Sequence, residues 1–248
     1  MTNQCNFNNQ LVLSHSSPFR VGFDLVQISR IIDSISCFGD GFKNRLFTPN
    51  ELNYAHQGKD LCPQRLAARF AAKEATIKAL RWSEAGIGWK EIEVCKLPDG
   101  DCELALHGRA AELAKGMGMT SMTLSLSHDG DYAGAVVAVG FEPKMARFLE
   151  ENHSFIHSFM VNTEKIKPIE VQIRTVLHAH GRLNKNVDLL EDSDDLYESG
   201  MTSHASVNVM LGLEGVFDVE FPDHMLKRNV FSSIQSIRSA LGDLMMAA

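Results

Sequence analysis

Hydrophobic and polar positions divide the 248-residue chain into two stretches of different texture. In the first, short apolar runs alternate with helical periods. Residues 21–25 read as an apolar strand, followed by a helix over 29–35. Leu66, Phe70, Ile77 and Leu80 recur at the spacing of a core stripe, which predicts a helix over 64–81. Residues 91–97 alternate, turn at Pro98-Asp99-Gly100 and lead into a strand over 102–106. A helix over 109–115 ends at Gly116, and residues 122–126 and 132–139 form a hairpin about Asp129-Gly130. The expectation is an α+β domain over residues 1–142.

Beyond it the period is helical throughout. Met145, Phe148, Leu149, Phe155, Ile156, Phe159 and Met160 make an amphipathic stretch, so residues 143–164 are expected to be a helical linker. His153 and His157 in that stretch lack the intervening glutamate and third ligand of a catalytic zinc helix. Residues 165–248 carry helices near 168–180, 203–217 and 232–244, which predicts a small all-α four-helix bundle.

Composition adds limits. A hydrophobic content of 44% and charged content of 22% are those of a soluble globular protein. Residues 1–19 hold no secretory pattern, and the longest apolar run, 133–141, is far short of a membrane span. Cys5, Cys37, Cys62, Cys95 and Cys102 form no CxxC pair and read as reduced thiols of a cytoplasmic protein. The net charge of −7 and the lack of a basic stripe exclude a general nucleic-acid binder. Charge is uneven, however. Residues 186–226 hold ten acids and no Lys or Arg. Such a block is either a solvated face or a surface that docks on basic partners.

Polar interruptions of apolar patterns mark the candidate chemistry. Glu74 falls on the helix stripe one turn after Phe70, and Lys78 follows one turn later. The pair reads as an ordinary i,i+4 ion pair or as part of a site for a polyanion and its metal. Asp24 interrupts the strand 21–25, where a charge is costly unless it is paired or metal-bound. For either acid the alternative is a structural salt bridge to Arg69 or Lys73. Few, hard oxygen ligands of this kind suit Mg²⁺ completed by water and substrate phosphates.

Taken together, the blocks Val21-Gly-Phe-Asp-Leu-Val-Gln-Ile-Ser-Arg-Ile31, Phe47-Thr-Pro-Asn-Glu-Leu52, residues 69–80 and Leu124-Ser-Leu-Ser-His-Asp-Gly-Asp-Tyr-Ala133 resemble the holo-acyl-carrier-protein synthases, the short trimeric class of 4′-phosphopantetheinyl transferases. The resemblance implies that fold, a homotrimer, and transfer of phosphopantetheine from coenzyme A to a carrier serine with release of 3′,5′-ADP. It implies Asp24 and Glu74 as Mg²⁺ ligands and Lys78 as a pyrophosphate contact. Arg69 and His128 would line the coenzyme pocket, His128 being alternatively a hairpin cap. Arg30 would dock the acidic carrier, with Lys43 and Arg45 nearby. Glu74 or a water on the metal would take the serine proton. The family belongs to fatty-acid and lipid metabolism.

The C-terminal stretch resembles an acyl or peptidyl carrier protein around Asp195-Leu-Tyr-Glu-Ser-Gly-Met-Thr-Ser-His-Ala-Ser-Val207. Such carriers have Asp-Ser-Leu where this chain has Thr202-Ser203-His204, so the resemblance implies a covalent 4′-phosphopantetheine on Ser203 of a specialised acyl or aminoacyl carrier. Ser203 also reads as a helix N-cap, and both roles are compatible because a helix N-terminus favours an anion. Ser199 and Ser206 are less well spaced from Gly200. The expected protein is a transferase fused to a carrier that is its own or an accompanying substrate. The rival is a specialised carrier or scaffold whose transferase domain is inactive.

Overall fold

The computed structural model describes residues 18–57, 62–142 and 167–247. The amphipathic segment 145–160, its His153/His157 pair and the helical linker expected over 143–164 lie outside these residues. In the N-terminal half, strand β1 (Phe19–Gln27) runs into helix α1 (Ile28–Leu46), which bends at Gly39 (φ 55°, ψ −129°). Helix α2 (Pro49–His56) follows, then α3 (Cys62–Leu80), strands β2 (Ile92–Lys96) and β3 (Cys102–Leu106), helix α4 (Gly108–Gly116), and strands β4 (Met119–Asp129) and β5 (Tyr132–Phe141). The order β1-β5-β4 makes an antiparallel sheet, and β2-β3 is a separate hairpin.

Residue size explains how α3 meets this sheet. Gly22, Val26, Ala133, Ala135, Val137 and Val139 are buried on the inner sheet face, and α3 buries Ala67, Ala71, Ala72 and Ala75. A Cβ on Gly22 would lie 1.9 Å from the Ala75 carbonyl oxygen, so the strand rests directly on the helix backbone. The outer face, by contrast, exposes Val21, Phe23, Leu25, Tyr132 and Val136. Below the sheet, Lys73 is fully buried and donates to Glu51 at 2.9 Å and to the carbonyls of Trp89 and Ile92. Glu51 in turn accepts from the backbone of Thr48 and Val94, tying α2, α3 and β2 together. Thus Lys73 and Glu51 form the structural salt bridge, and Asp24 and Glu74 are left for other partners.

Among the described residues the C-terminal half has three α-helices, α5 (Lys167–His180), α6 (Ser203–Phe217) and α7 (Ile234–Ala247), where four helices were expected. Short 3-10 turns at Val187–Leu189, Asp223–Met225 and Arg228–Phe231 occupy the connections. Ile173, Leu177, Val209, Leu213, Ile237 and Leu241 form the core. Much of the acidic block is used locally. Asp195 accepts from the Tyr197 and Glu198 amides, and Asp192 pairs with Arg174 and Arg238.

Candidate active site

The two halves meet at the N-terminus of α6. Thr202, not Ser203, caps that helix, its hydroxyl accepting from the Ala205 amide at 3.2 Å. This corrects the N-cap reading of Ser203, which is the first helical residue and has its hydroxyl free of the cap. That hydroxyl lies beside the Glu74 carboxylate of α3, where it favours the charged form, and both residues border the same cleft. Glu74 is 6% exposed. Burial, and then the nearby Asp24 charge, push its carboxyl up to about 7, against the Ser203 hydroxyl and Lys78. Lys78, one turn along α3, reaches back to Asp24 at 2.6 Å and to the Phe23 carbonyl at 3.3 Å. Asp24 stands two residues beyond Gly22 on the face of β1 that touches α3, so the glycine contact sets its distance from Glu74 and Lys78. The other serines are poorer nucleophiles: Ser199 is buried, and the Ser206 hydroxyl donates to the Ser203 carbonyl at 2.7 Å.

Two cavities of about 360 Å³ each open on this spot. Ile77, Trp82 and Trp89 from the N-terminal half and Val207, Met210 and Phe231 from the C-terminal half line one of them. Asp24, Gln27, Arg30, Thr202 and His204 line the other. Glu74, Lys78, Tyr197, Ser203 and Arg228 border both. Arg228 stacks its guanidinium 4.2 Å over the Tyr197 ring, while its amide donates to Ser83 at 2.9 Å. Tyr197 and Arg228 were not singled out from sequence. Spacing gives no signal for either, because each becomes local to Glu74 only through docking.

The remaining sequence-derived residues fall in three places. Arg30 lines the polar cavity, and Arg45 reaches across to the C-terminal half, meeting Glu220 at 3.2 Å, Glu214 at 3.7 Å and the Phe221 carbonyl. Lys43 instead pairs with Asp40 at 2.6 Å. Arg69 lies apart from Glu74, stacked 4.3 Å over Tyr54, with Nε and Nη2 buried and unpartnered. His128 is exposed on β4, on the same sheet face as Asp24 but two strands away, opposite Ala133. Thus Asp24, Glu74, Lys78, Arg30 and Ser203 come together in one chain, and Arg69 and His128 do not join them.

The site fits a divalent cation by chemistry. Two carboxylates face each other, and the buried one is disfavoured as an anion until a cation arrives. Among the described residues no cluster of three or more His, Cys, Asp or Glu ligands exists, so further ligands would come from water and substrate oxygens, as Mg²⁺ accepts.

Residues 20–137 match the model of the 4′-phosphopantetheinyl transferase superfamily. A holo-[acyl-carrier-protein] synthase of Koribacter versatilis (strain Ellin345) is 44% identical over 117 residues, which cover 47% of this chain and 93% of that protein. The chain belongs, through its N-terminal half, to the holo-[acyl-carrier-protein] synthase family. The ACPS–CoA complex of Chronobacterium ammoniagenes is similar over 51% of this chain and 99% of its own, at 34% identity and a TM-score of 0.46. A chain of the structure of an engineered Bradyrhizobium japonicum glycine:[carrier protein] ligase complexed with carrier protein from Agrobacterium tumefaciens and ATP is also similar. It is 42% identical, with 31% of this chain and 99% of that one covered and a TM-score of 0.30.

Proposed function

We propose that this protein transfers the 4′-phosphopantetheine arm of coenzyme A to a carrier serine, and that its own C-terminal half, residues 165–248, is a carrier domain modified at Ser203. The observation that carries this reading is the placement of the Ser203 hydroxyl beside Glu74, in a cleft that both halves wall. In the proposed step the Ser203 oxygen attacks the pantetheine-bearing phosphorus. The bond from that phosphorus to the bridging oxygen breaks, 3′,5′-ADP leaves, and Glu74 takes the hydroxyl proton. The pantetheine arm lies in the cavity with the two tryptophans and the ADP moiety in the polar one, so that the scissile bond falls at their junction. Lys78 and Arg228 counter the charge on the leaving group. Asp24 and Glu74 would hold Mg²⁺, which neutralises pyrophosphate charge when bound.

Arg69 and His128 belong to this reading as residues of the coenzyme pocket, with the exposed His128 supplied between protomers and Arg69, buried against Tyr54, shaping the pocket wall. The exposed apolar face of β1 and β5 supports a homotrimer built on that sheet face. Among the described residues no helix is long and apolar enough to cross a membrane, and Cys37, Cys62, Cys95 and Cys102 are free thiols, in keeping with a cytoplasmic enzyme. The reading of an inactive scaffold is disfavoured by the assembled Asp24, Glu74, Lys78 and Ser203. The test is release of 3′,5′-ADP from coenzyme A and Mg²⁺ by the full chain. Wild type is expected to release one equivalent, and Ser203→Ala none until a separate acyl carrier protein is added. No release in either case overturns the transferase assignment.

A further inference from the structure

His204, the residue after the acceptor serine, is buried at 5% exposure inside the N-terminal half. Its ring stands edge-on to Phe42 at 6.1 Å and to Phe70 at 5.6 Å, in an aromatic slot suited to an apolar side chain. One polar group interrupts that slot. Ser34 of α1, 1% exposed, places its hydroxyl oxygen 3.1 Å from His204 Nε2. The same hydroxyl donates to the Arg30 carbonyl at 2.9 Å, one turn back in its own helix. A hydroxyl has a single proton, so His204 Nε2–H is the donor and Ser34 the acceptor. Nδ1 is then the unprotonated nitrogen, and it is buried without a partner. Burial, and then Arg182 and Arg30, hold the imidazole down to about 4 against Asp33, so the ring docks neutral with one N–H to satisfy.

Nothing in α1 itself calls for this serine. Its buried neighbours on the helix are Ile28, Ile31, Phe42 and Leu46, and an alanine or valine would pack as well. The one thing the hydroxyl provides beyond its own turn is an acceptor for an imidazole 170 residues away. We propose that Ser34 is a specificity-determining residue that admits acceptors with histidine after the modified serine, and that it positions Ser203 through His204. The partner class is thus a carrier with a Ser-His pair at the modification site, the chain's own C-terminal half being the first member. An aliphatic residue in place of His204 leaves Ser34 satisfied by Arg30. Histidine without Ser34 leaves a buried N–H unpaired.

The inference rests on Ser203 being the acceptor, and the experiment separates the two claims. Single-turnover loading of Ser203 is timed by intact mass in the full-length protein with excess coenzyme A and Mg²⁺. Ser34→Ala is expected to slow loading by about five- to a hundredfold, the effect of orphaning a buried donor. The same change in a His204→Leu background is expected to alter the rate by less than about twofold, since no N–H remains to be orphaned. Ser34→Thr and Ser34→Val share a shape and differ only in the hydroxyl, and Thr is expected to load at least about fivefold faster than Val. Equal rates for Thr and Val, or the same loss from Ser34→Ala in both backgrounds, overturn the role of Ser34 while wild-type loading stands. Absence of loading in wild type overturns the acceptor assignment itself.

Discussion

At Glu74 burial costs stability, and in the proposed reaction the same burial would prepare a base. The carboxyl is buried beside Asp24 in the cleft, and its ordinary value is displaced up to about 7, chiefly by loss of water. Replacement by glutamine removes the disfavoured charge and keeps the shape. Glu74→Gln is therefore expected to stabilise the metal-free protein by about 1–2 kcal/mol at pH 8, read by chemical denaturation, while abolishing transfer. His204 gives a pH signature of a different kind. Undocked, it takes a proton below about 6.5; docked, it stays neutral down to about 4. Through His204 the docked state thus binds fewer protons, so the histidine's contribution to docking is greatest above pH 6.5. That contribution falls by about 1.4 kcal/mol for each pH unit between 6.5 and 4 and levels off below, while Glu74, which gains a proton in the cleft below about 7, acts in the opposite sense. The chain's two tryptophans, Trp82 and Trp89, both line the cavity between the halves and report it by fluorescence. His204→Leu is expected to remove this contribution, so that docking then tightens, relative to wild type, as the pH falls from 6.5 to 4.5. Legibility at this scale was partial. Glu74 and Asp24 were visible because each breaks an apolar pattern. Arg69 was not resolved, because five positions along a helix turn a side chain well away from Glu74, and no pattern in sequence names Tyr54 as its stacking partner.

Among elements, α3 and β1 carry the site. Both were legible, α3 from its stripe and β1 from its apolar run; β1 extends two residues beyond each expected end, and α3 starts two residues earlier and ends one earlier than expected. What periodicity could not convey is the closeness of their contact, which depends on Gly22 facing Ala75. Gly22→Ala places a methyl against helix backbone that has nowhere to move. It is expected to destabilise the N-terminal half by upwards of about 3 kcal/mol, measured by urea denaturation followed at Trp82 and Trp89. Helix α2 went unassigned although its start has a capping-box signature, Thr48 through Glu51, which the structure forms in full. Its eight residues are too few for a helical period to stand out, and its Glu51 is inward because Lys73 is. The 3-10 turn Arg228–Phe231 had no apolar period at all, and it brings Arg228 to the cleft.

For the molecule as a whole, charge distribution was the readable part. The acidic block does meet a basic residue of the N-terminal half, but only its later members do so, around Arg45, because the earlier ones cap turns and pair within their own half. Gly86 (φ 62°) and Gly88 show how closely the halves fit: a Cβ would lie 2.7 Å from the His224 carbonyl oxygen at the first and 2.5 Å from Asp223 Oδ2 at the second. Such fit between distant segments has no trace in local pattern. The outer sheet face is the other large feature, and alternation along β1 exposes it plainly. If three copies bury it, Phe23→Asp is expected to reduce the mass seen by light scattering to one third and to lower transfer at least about tenfold, while the tryptophan environment within each chain is retained. A wild-type mass equal to one chain would contradict the trimer. The central claim, that Ser203 receives the arm in a reaction that needs Glu74, is tested most directly by intact mass and peptide mapping of the full chain after incubation with coenzyme A and Mg²⁺. The account predicts one phosphopantetheine on Ser203 of wild type and none on Ser203→Ala or Glu74→Gln. An unmodified wild type, an arm on another residue, or normal loading of Glu74→Gln would contradict it.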